Sequence, residues 1–327
     1  MAESMQGGRV STPTRLPPSA RALTAAATRW WTYQGERFPL VTHAPLIAAF
    51  SFCTLSFSAM ARGHLQIPGA RAIVVAFASA FIFFLQLRVA DEFKDFADDA
   101  RYRPYRPVPR GLISLRELGA AAVGGGVVQL ALALWLSPGL VPFLLGVWAY
   151  LGLMSREFFV GRWLRAHPAT YMWSHMLILP LIDLYGTACD WRVAGVAAPV
   201  GLVFLLAVSF CNGFVVEIGR KIRAPQDEEI GVETYSALWG RSRAVVVWLG
   251  ALAVTAVFAL LAALQLRFAL PTSVVLALLL TVASGGALGF LRAASSRRAK
   301  RIELIAGVWT LLMYLSLGAI PLFVKLA

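Results

Sequence analysis

Nine long apolar runs, separated by short charged segments, leave this chain little choice of solvent. They fall at about 44–60, 70–87, 118–136, 140–154, 170–189, 193–216, 244–264, 268–291 and 302–326. A helix rising about 1.5 Å per residue crosses a hydrocarbon layer of about 30 Å with runs of this kind. Inside that layer the backbone must satisfy its own polar groups, and a helix does so within one segment. Composition agrees, since 58% of the 327 residues are hydrophobic and 14% charged, too apolar for a soluble domain. The expected fold is an all-α, polytopic membrane bundle of about nine spans.

The net charge of +13 does not indicate nucleic acid, because the basic residues are scattered between spans rather than gathered on one face. With a cytoplasmic N-terminus, 25 of the 30 Lys and Arg fall in inner segments, the bias that orients an inner-membrane protein. Arg62, Arg71, Arg192, Arg267 and Lys325 fall outside. Residues 1–39 lack the apolar core of a cleavable signal. They read as a polar extension over 1–40, ahead of a membrane domain at 41–327. Within it, 19–38 is mixed apolar and basic, with Trp30 and Trp31, which suits either a helix lying on the membrane surface or a solvated tail. Cys53, Cys189 and Cys211 have no paired spacing for zinc or a redox dithiol.

Eleven of the 17 acidic residues gather in two inner segments. The second span runs directly into Asp91, Glu92, Lys94, Asp95, Asp98 and Asp99. If the helix continues past the membrane edge, Asp91, Asp95 and Asp99 stack on one face. Like charges at that spacing repel, and hard oxygen donors with open positions suit Mg²⁺ bridging to phosphate. The plain alternative is a solvated acidic loop that balances nearby Arg, but charge at the end of an apolar span is costly without a partner or a task. Arg103, Arg106 and Arg110 follow, alternating with Pro104, Pro107 and Pro109 that stop the helix. Such a strap is either a diphosphate clamp or positive-inside bias alone.

The sixth span ends in a second group: Glu217, Arg220, Lys221, Arg223, Asp227, Glu228, Glu229 and Glu233. Four spans separate the groups, so both emerge on one face and can surround a diphosphate. Inside the spans, His175 and Asp183 are eight residues apart and share a helix face. Either they orient or deprotonate an acceptor, or His175 bonds a neighbouring helix and Asp183 sits near the outer interface. Asn212, just over a turn before Glu217, is a candidate for the cavity wall.

Asp91, Glu92, Asp95 and Asp99 resemble the first aspartate-rich signature of the UbiA superfamily, and Arg106, Pro107, Gly111, Ile113 and Ser114 match its continuation. In the second signature Asp227, Gly231 and Thr234 fit, but Arg223 stands where the family has an acid; Glu217 is positioned to supply that oxygen. The family's Tyr-x-x-x-Lys motif is absent, with Tyr150 and Arg156 the nearest residues.

The resemblance implies Mg²⁺-dependent ionisation of an isoprenoid diphosphate and capture of the allylic cation by a lipophilic or aromatic acceptor. It implies catalytic roles for Asp91, Asp95, Asp99 and Asp227, with Glu92 and Glu217 joining them as metal ligands. Lys94, Arg103, Arg106, Arg110, Arg156, Arg220, Lys221 and Arg223 become the diphosphate set, and Asn212 and His175 face the acceptor. Intramolecular cyclisation uses the same first step. A cation transporter fits poorly, because acids along a membrane path are scarce. No obligate protein partner is implied beyond the lipid.

Cysteine labelling tests the topology. Cysteines placed by Asp98→Cys and Glu228→Cys are expected to react from one side of the membrane and Gly69→Cys from the other; Asp98 and Glu228 reacting from opposite sides contradicts the nine-span order.

Overall fold

The computed structural model describes residues 18–327; the first 17 residues of the polar extension lie outside them. Among the described residues the chain is helical, with no strand. Its helices are α1 (Pro18–Arg37), α2 (Leu40–Ala61), α3 (Ala70–Lys94), α4 (Phe96–Tyr102), α5 (Leu115–Leu136), α6 (Val141–Ser155), α7 (Gly161–Ala166) and α8 (Pro168–Met176). They continue with α9 (Ile178–Trp191), α10 (Leu202–Arg220), α11 (Tyr235–Trp239), α12 (Arg241–Gln265), α13 (Ala269–Arg292), α14 (Ser296–Leu317) and α15 (Ala319–Leu326).

Eight helical segments are long and apolar enough to cross a membrane, counting α14 and α15 as one. The remaining expected span, 170–189, is divided into α8 and α9. Pro180 has no N–H to give the carbonyl of Met176 four residues back, so the hydrogen-bond ladder is interrupted there. The pair still completes a crossing. The loops after α3 and α10 touch each other through Tyr105 and Glu229, so an even number of crossings separates them. With α5, α6 and α10 supplying three, α8 and α9 together supply the fourth.

Two packed groups form the bundle. One joins α3, α5, α6 and α9 around Phe83, Leu140, Leu144 and Tyr185; the other joins α10, α12, α13 and α14 around Trp248, Phe290 and Trp309. Helix α2 serves both, with Leu55 in the first and Phe57 in the second. A polar seam crosses the boundary: Thr54 of α2 and Tyr314 of α14 both donate to Asp183 of α9, at 3.0 and 2.8 Å. Asp183 is fully buried there. The outward faces of α5, α12 and α13 present Val123, Val127, Val246, Leu270, Leu278 and Val282, an apolar surface suited to lipid rather than water.

At the end of the bundle remote from the acidic loops, Arg62 grips Asp190 bidentately at 2.9 and 2.7 Å, and Ser58 donates to the same carboxylate at 2.7 Å. This ties α2 to α9. Further along α2, Gly318 between α14 and α15 lies so close that a Cβ would overlap the backbone of Cys53. A methyl group there must push backbone, which relaxes poorly.

Gly318→Ala is therefore expected to lower stability by at least about 2 kcal/mol, read as the thermal midpoint in detergent. Gly285→Ala, where a Cβ meets nothing within 4 Å, leaves the midpoint unchanged.

Candidate active site

Helix α3 delivers the first acidic group. Its hydrogen-bond ladder carries on through Asp95 N–H to the Asp91 carbonyl (2.9 Å) and Asp99 N–H to the Asp95 carbonyl (2.8 Å). The backbone nevertheless bends at Asp95, where φ is −92° and ψ is 2°, and continues as α4. The single carboxylate-lined face expected from the spacing is thereby divided.

Two carboxylates of this first acidic group turn to arginines. Glu92 is 1% exposed and meets Arg37 of α1 at 2.5 Å. Asp99, equally buried, holds Arg103 at 2.6 Å and Arg106 at 2.7 Å. Helix α1 braces this region. Its Tyr33 is buried against Val89, Val108, Ile113 and Leu118, its Glu36 pairs with Arg110 at 2.7 Å, and its Arg29 pairs with Glu117. Arg110 thus faces α1 rather than the acidic residues. Glu117 in turn completes a capping box with Ser114 that starts α5.

Asp91 and Asp95 remain. The Asp91 side chain is 41% exposed, with Arg88 at 3.6 Å and Lys94 at 3.8 Å. Asp95 has no side-chain partner among the described residues. Burial raises its carboxyl above the usual carboxylate range, against the opposing pull of Lys94.

The end of α10 repeats this plan. Glu217 binds Arg220 at 2.5 Å and Lys221 at 2.9 Å. Lys94 lies 5.4 Å from the ring centre of Tyr171 and donates to its hydroxyl at 2.7 Å, while Lys221 lies 5.5 Å from the ring centre of Tyr235. Each acidic helix end therefore has a carboxylate, an Arg and a Lys within one turn, with a tyrosine ring over the Lys. The loops that follow the two ends meet. Tyr105 donates to Glu229 at 3.3 Å. Gly231, at φ +78°, presses on Tyr102, whose ring a Cβ would approach to 2.6 Å; only glycine suits both the space and the backbone.

The other expected site residues have partners or surroundings of their own. Asp227 accepts from Ser296 at the start of α14 at 2.7 Å. Arg223 is held by its backbone N–H, which donates to Ser236 at 2.5 Å. Arg156 lines an open cleft of about 480 Å³ with Glu157, Arg162 and Arg165. Asn212 exchanges hydrogen bonds with Thr310 of α14 at 3.1 and 3.3 Å, so it joins two helices. His175 is buried against Tyr171, ring centres 4.0 Å apart.

Six carboxylates were expected to gather around metal. Among the described residues no three His, Cys, Asp or Glu side chains come together to hold an ion. The reason is electrostatic: Glu92, Asp99 and Glu217 each engage guanidinium or ammonium groups, which relieves the repulsion that a cation was expected to relieve. Asp91 and Asp95 fit one Mg²⁺, since that ion is commonly held by one or two carboxylates, water and substrate phosphate. Sequence reading overlooked Tyr171, Tyr235, Arg88 and Arg37. The three-residue spacing of Arg88 and Asp91 and the four-residue spacing of Tyr171 and His175 were the available signals; Arg37 with Glu92 and Tyr171 with Lys94 join elements far apart in the chain.

The sequence matches no protein-family model and no curated protein. The fold has clear relatives among solved structures. An apo UbiA homologue from Aeropyrum pernix K1 superposes with a TM-score of 0.63 at 14% identity, over 86% of this chain and 98% of that one. Digeranylgeranylglyceryl phosphate synthase superposes with a TM-score of 0.59 at 15% identity, over 90% and 99%. A UbiA homologue from Archaeoglobus fulgidus bound to DMAPP and Mg²⁺ gives 0.51 at 12% identity, over 85% and 98%. The chain has the UbiA fold.

If Glu92 serves the scaffold, Glu92→Ala and Arg37→Ala each strand a buried charge and are expected to cost about 3 kcal/mol or more. Their thermal midpoints in detergent fall together, and the double variant loses less than the sum. Asp91→Asn, at an exposed carboxylate, keeps the wild-type midpoint.

Proposed function

We propose that this chain is a membrane prenyltransferase of the UbiA superfamily, which ionises an isoprenoid diphosphate and passes the prenyl group to a lipophilic acceptor. The observation that carries this reading is the pair of matched helix ends, Arg88, Asp91 and Lys94 opposite Glu217, Arg220 and Lys221, on the fold that in one relative accompanies bound DMAPP and Mg²⁺.

A diphosphate between these ends meets four cations that are already oriented. Glu217 fixes Arg220 and Lys221, so their side chains lose little further freedom on binding, and the tyrosine over each Lys limits its range. Asp91 and Asp95 would hold Mg²⁺, which supplies positive charge for the leaving diphosphate oxygen. Arg103 and Arg106, parked on Asp99, lie in the same loop and can exchange that carboxylate for phosphate. Cationic groups aimed where negative charge accumulates stabilise the departing group with little reorganisation. The prenyl tail extends from this polar mouth into the apolar bundle, where water is scarce and the allylic cation survives until the acceptor takes it.

This reading gives Glu217 the task of arranging cations, not of holding metal, and leaves Asp227 in the loop scaffold. It is tested by Mg²⁺-dependent release of diphosphate from an allylic diphosphate by the purified protein. Asp91→Ala and Asp95→Ala are expected to reduce release by at least about a hundredfold while the protein stays folded. Glu217→Gln raises the KM for the diphosphate more than it lowers kcat, and Asp227→Asn stays near wild type. Full release by both Asp variants overturns the assignment.

A further inference from the structure

The connection from α6 to α8 builds a basic cleft that prenyl transfer leaves without a task. Arg156, Glu157, Arg162 and Arg165 surround about 480 Å³ of open space there. Glu157 takes up Arg165 at 3.0 Å, and Gly161 makes room for it, since a Cβ would overlap the Glu157 carboxylate. The side chains of Arg156 and Arg162 are exposed and have no partner among the described residues. Two guanidinium groups therefore face the cleft with their charge uncompensated.

The backbone of this connection is held in an uncommon shape. Glu157, Phe158 and Phe159 have φ of 47°, 53° and 61°, the left-handed region that residues with a side chain rarely enter in succession. The turn sends neighbouring rings opposite ways. Phe158 packs inward on Tyr150 and His175, with ring centres 5.5 and 6.1 Å away, while Phe159 stands 78% exposed. Trp163, 52% exposed, and Val160 accompany it on the rim of the same cleft. Apolar surface and free guanidinium groups thus share one short segment.

Depth in the membrane identifies what surrounds that segment. The crossing Pro138–Ser155 has 18 residues, about 27 Å at 1.5 Å per residue, just short of a hydrocarbon layer of about 30 Å. Arg156 therefore emerges where phosphate headgroups lie. Helices α5 and α6 carry the chain across and back, so this is the side of the acidic loops. At that depth Trp and Phe rings sit between headgroup and acyl chain, and guanidinium groups grip phosphate oxygens. In water the same rings would form an uncovered apolar patch.

We propose that the cleft is a binding site for an anionic phospholipid of the adjacent leaflet. Arg156 and Arg162 hold its phosphate, and Phe159, Val160 and Trp163 stand against its acyl chains. A zwitterionic lipid presents the same phosphate but adds a cation, which the surplus of positive charge at the cleft disfavours. Such a site would exist whether or not the chain transfers prenyl groups.

The test titrates the purified full chain in detergent with phosphatidylglycerol or phosphatidylcholine of identical acyl chains and counts bound lipid by native mass spectrometry. Wild type is expected to hold one phosphatidylglycerol about tenfold more tightly than phosphatidylcholine. Inorganic phosphate and a ten-carbon allylic diphosphate, each at the lipid's concentration, do not displace it. Arg156→Gln combined with Arg162→Gln removes the preference. Arg241→Gln combined with Arg243→Gln, at exposed cations that open α12 on the same side, keeps it. On wild type, where no variant's folding is at issue, a phosphatidylglycerol with a photoreactive group at the headgroup end of one acyl chain labels residues 156–165. No preference in wild type, equal loss from both Arg pairs, or labelling that misses 156–165 overturns the proposal. Displacement by inorganic phosphate or the allylic diphosphate also overturns it, making the cleft a site for free phosphate groups. None of these outcomes decides whether the acidic helix ends ionise a diphosphate, which its release measures separately.

Discussion

A carboxylate at the end of a membrane helix must find positive charge close at hand, and in this chain most of that charge is drawn from the same turn. Asp91 has Arg88 and Lys94, and Glu217 has Arg220 and Lys221. Each carboxylate thus lies beside two cations, so the two helix ends bring a surplus of positive charge to the mouth between them, where an anion is favoured. The contacts of Tyr105 with Glu229 and of Tyr102 with Gly231 then join the loops.

The same economy explains why the acidic signature is not a single metal cage. Glu92 is drawn to Arg37 and Asp99 to Arg103 and Arg106, both in places where an unpaired carboxylate would be costly. What remains at the mouth is a small set of oxygen donors among many cations, an arrangement that favours an anionic substrate and accommodates a metal as that substrate's companion. The bundle supplies the rest: apolar faces toward lipid, a buried polar seam at Asp183, and an ion pair between Arg62 and Asp190 that fastens the far end.

The membrane fold was legible in the sequence because it depends on hydropathy and length, properties local to each segment. The fifth span showed the limit of that reading: its hydropathy is continuous, but Pro180 divides it into α8 and α9. The acidic groups were legible for the same local reason, since Asp91, Asp95, Glu217 and their cations are neighbours in the chain. Their division was not. The bend at Asp95 and the pull of Arg37 from α1, 55 residues from Glu92, are tertiary effects that spacing along an ideal helix does not contain. Tyr171 above Lys94 is likewise a contact across 77 residues. Asn212 was read as a candidate for the cavity wall, and its link to Thr310 depended on a helix 98 residues away.

The account turns on which carboxylates hold the divalent ion when an anionic substrate is present. The most direct measurement is Mn²⁺ binding in place of Mg²⁺, followed by electron paramagnetic resonance with a non-ionisable thio-analogue of an allylic diphosphate. The account predicts one tightly bound Mn²⁺ per chain, dependent on the analogue, abolished by Asp91→Asn and by Asp95→Asn and retained in Glu92→Gln and Glu217→Gln. Undiminished Mn²⁺ binding in the Asp91 and Asp95 variants, with loss in the Glu217 variant, would contradict it.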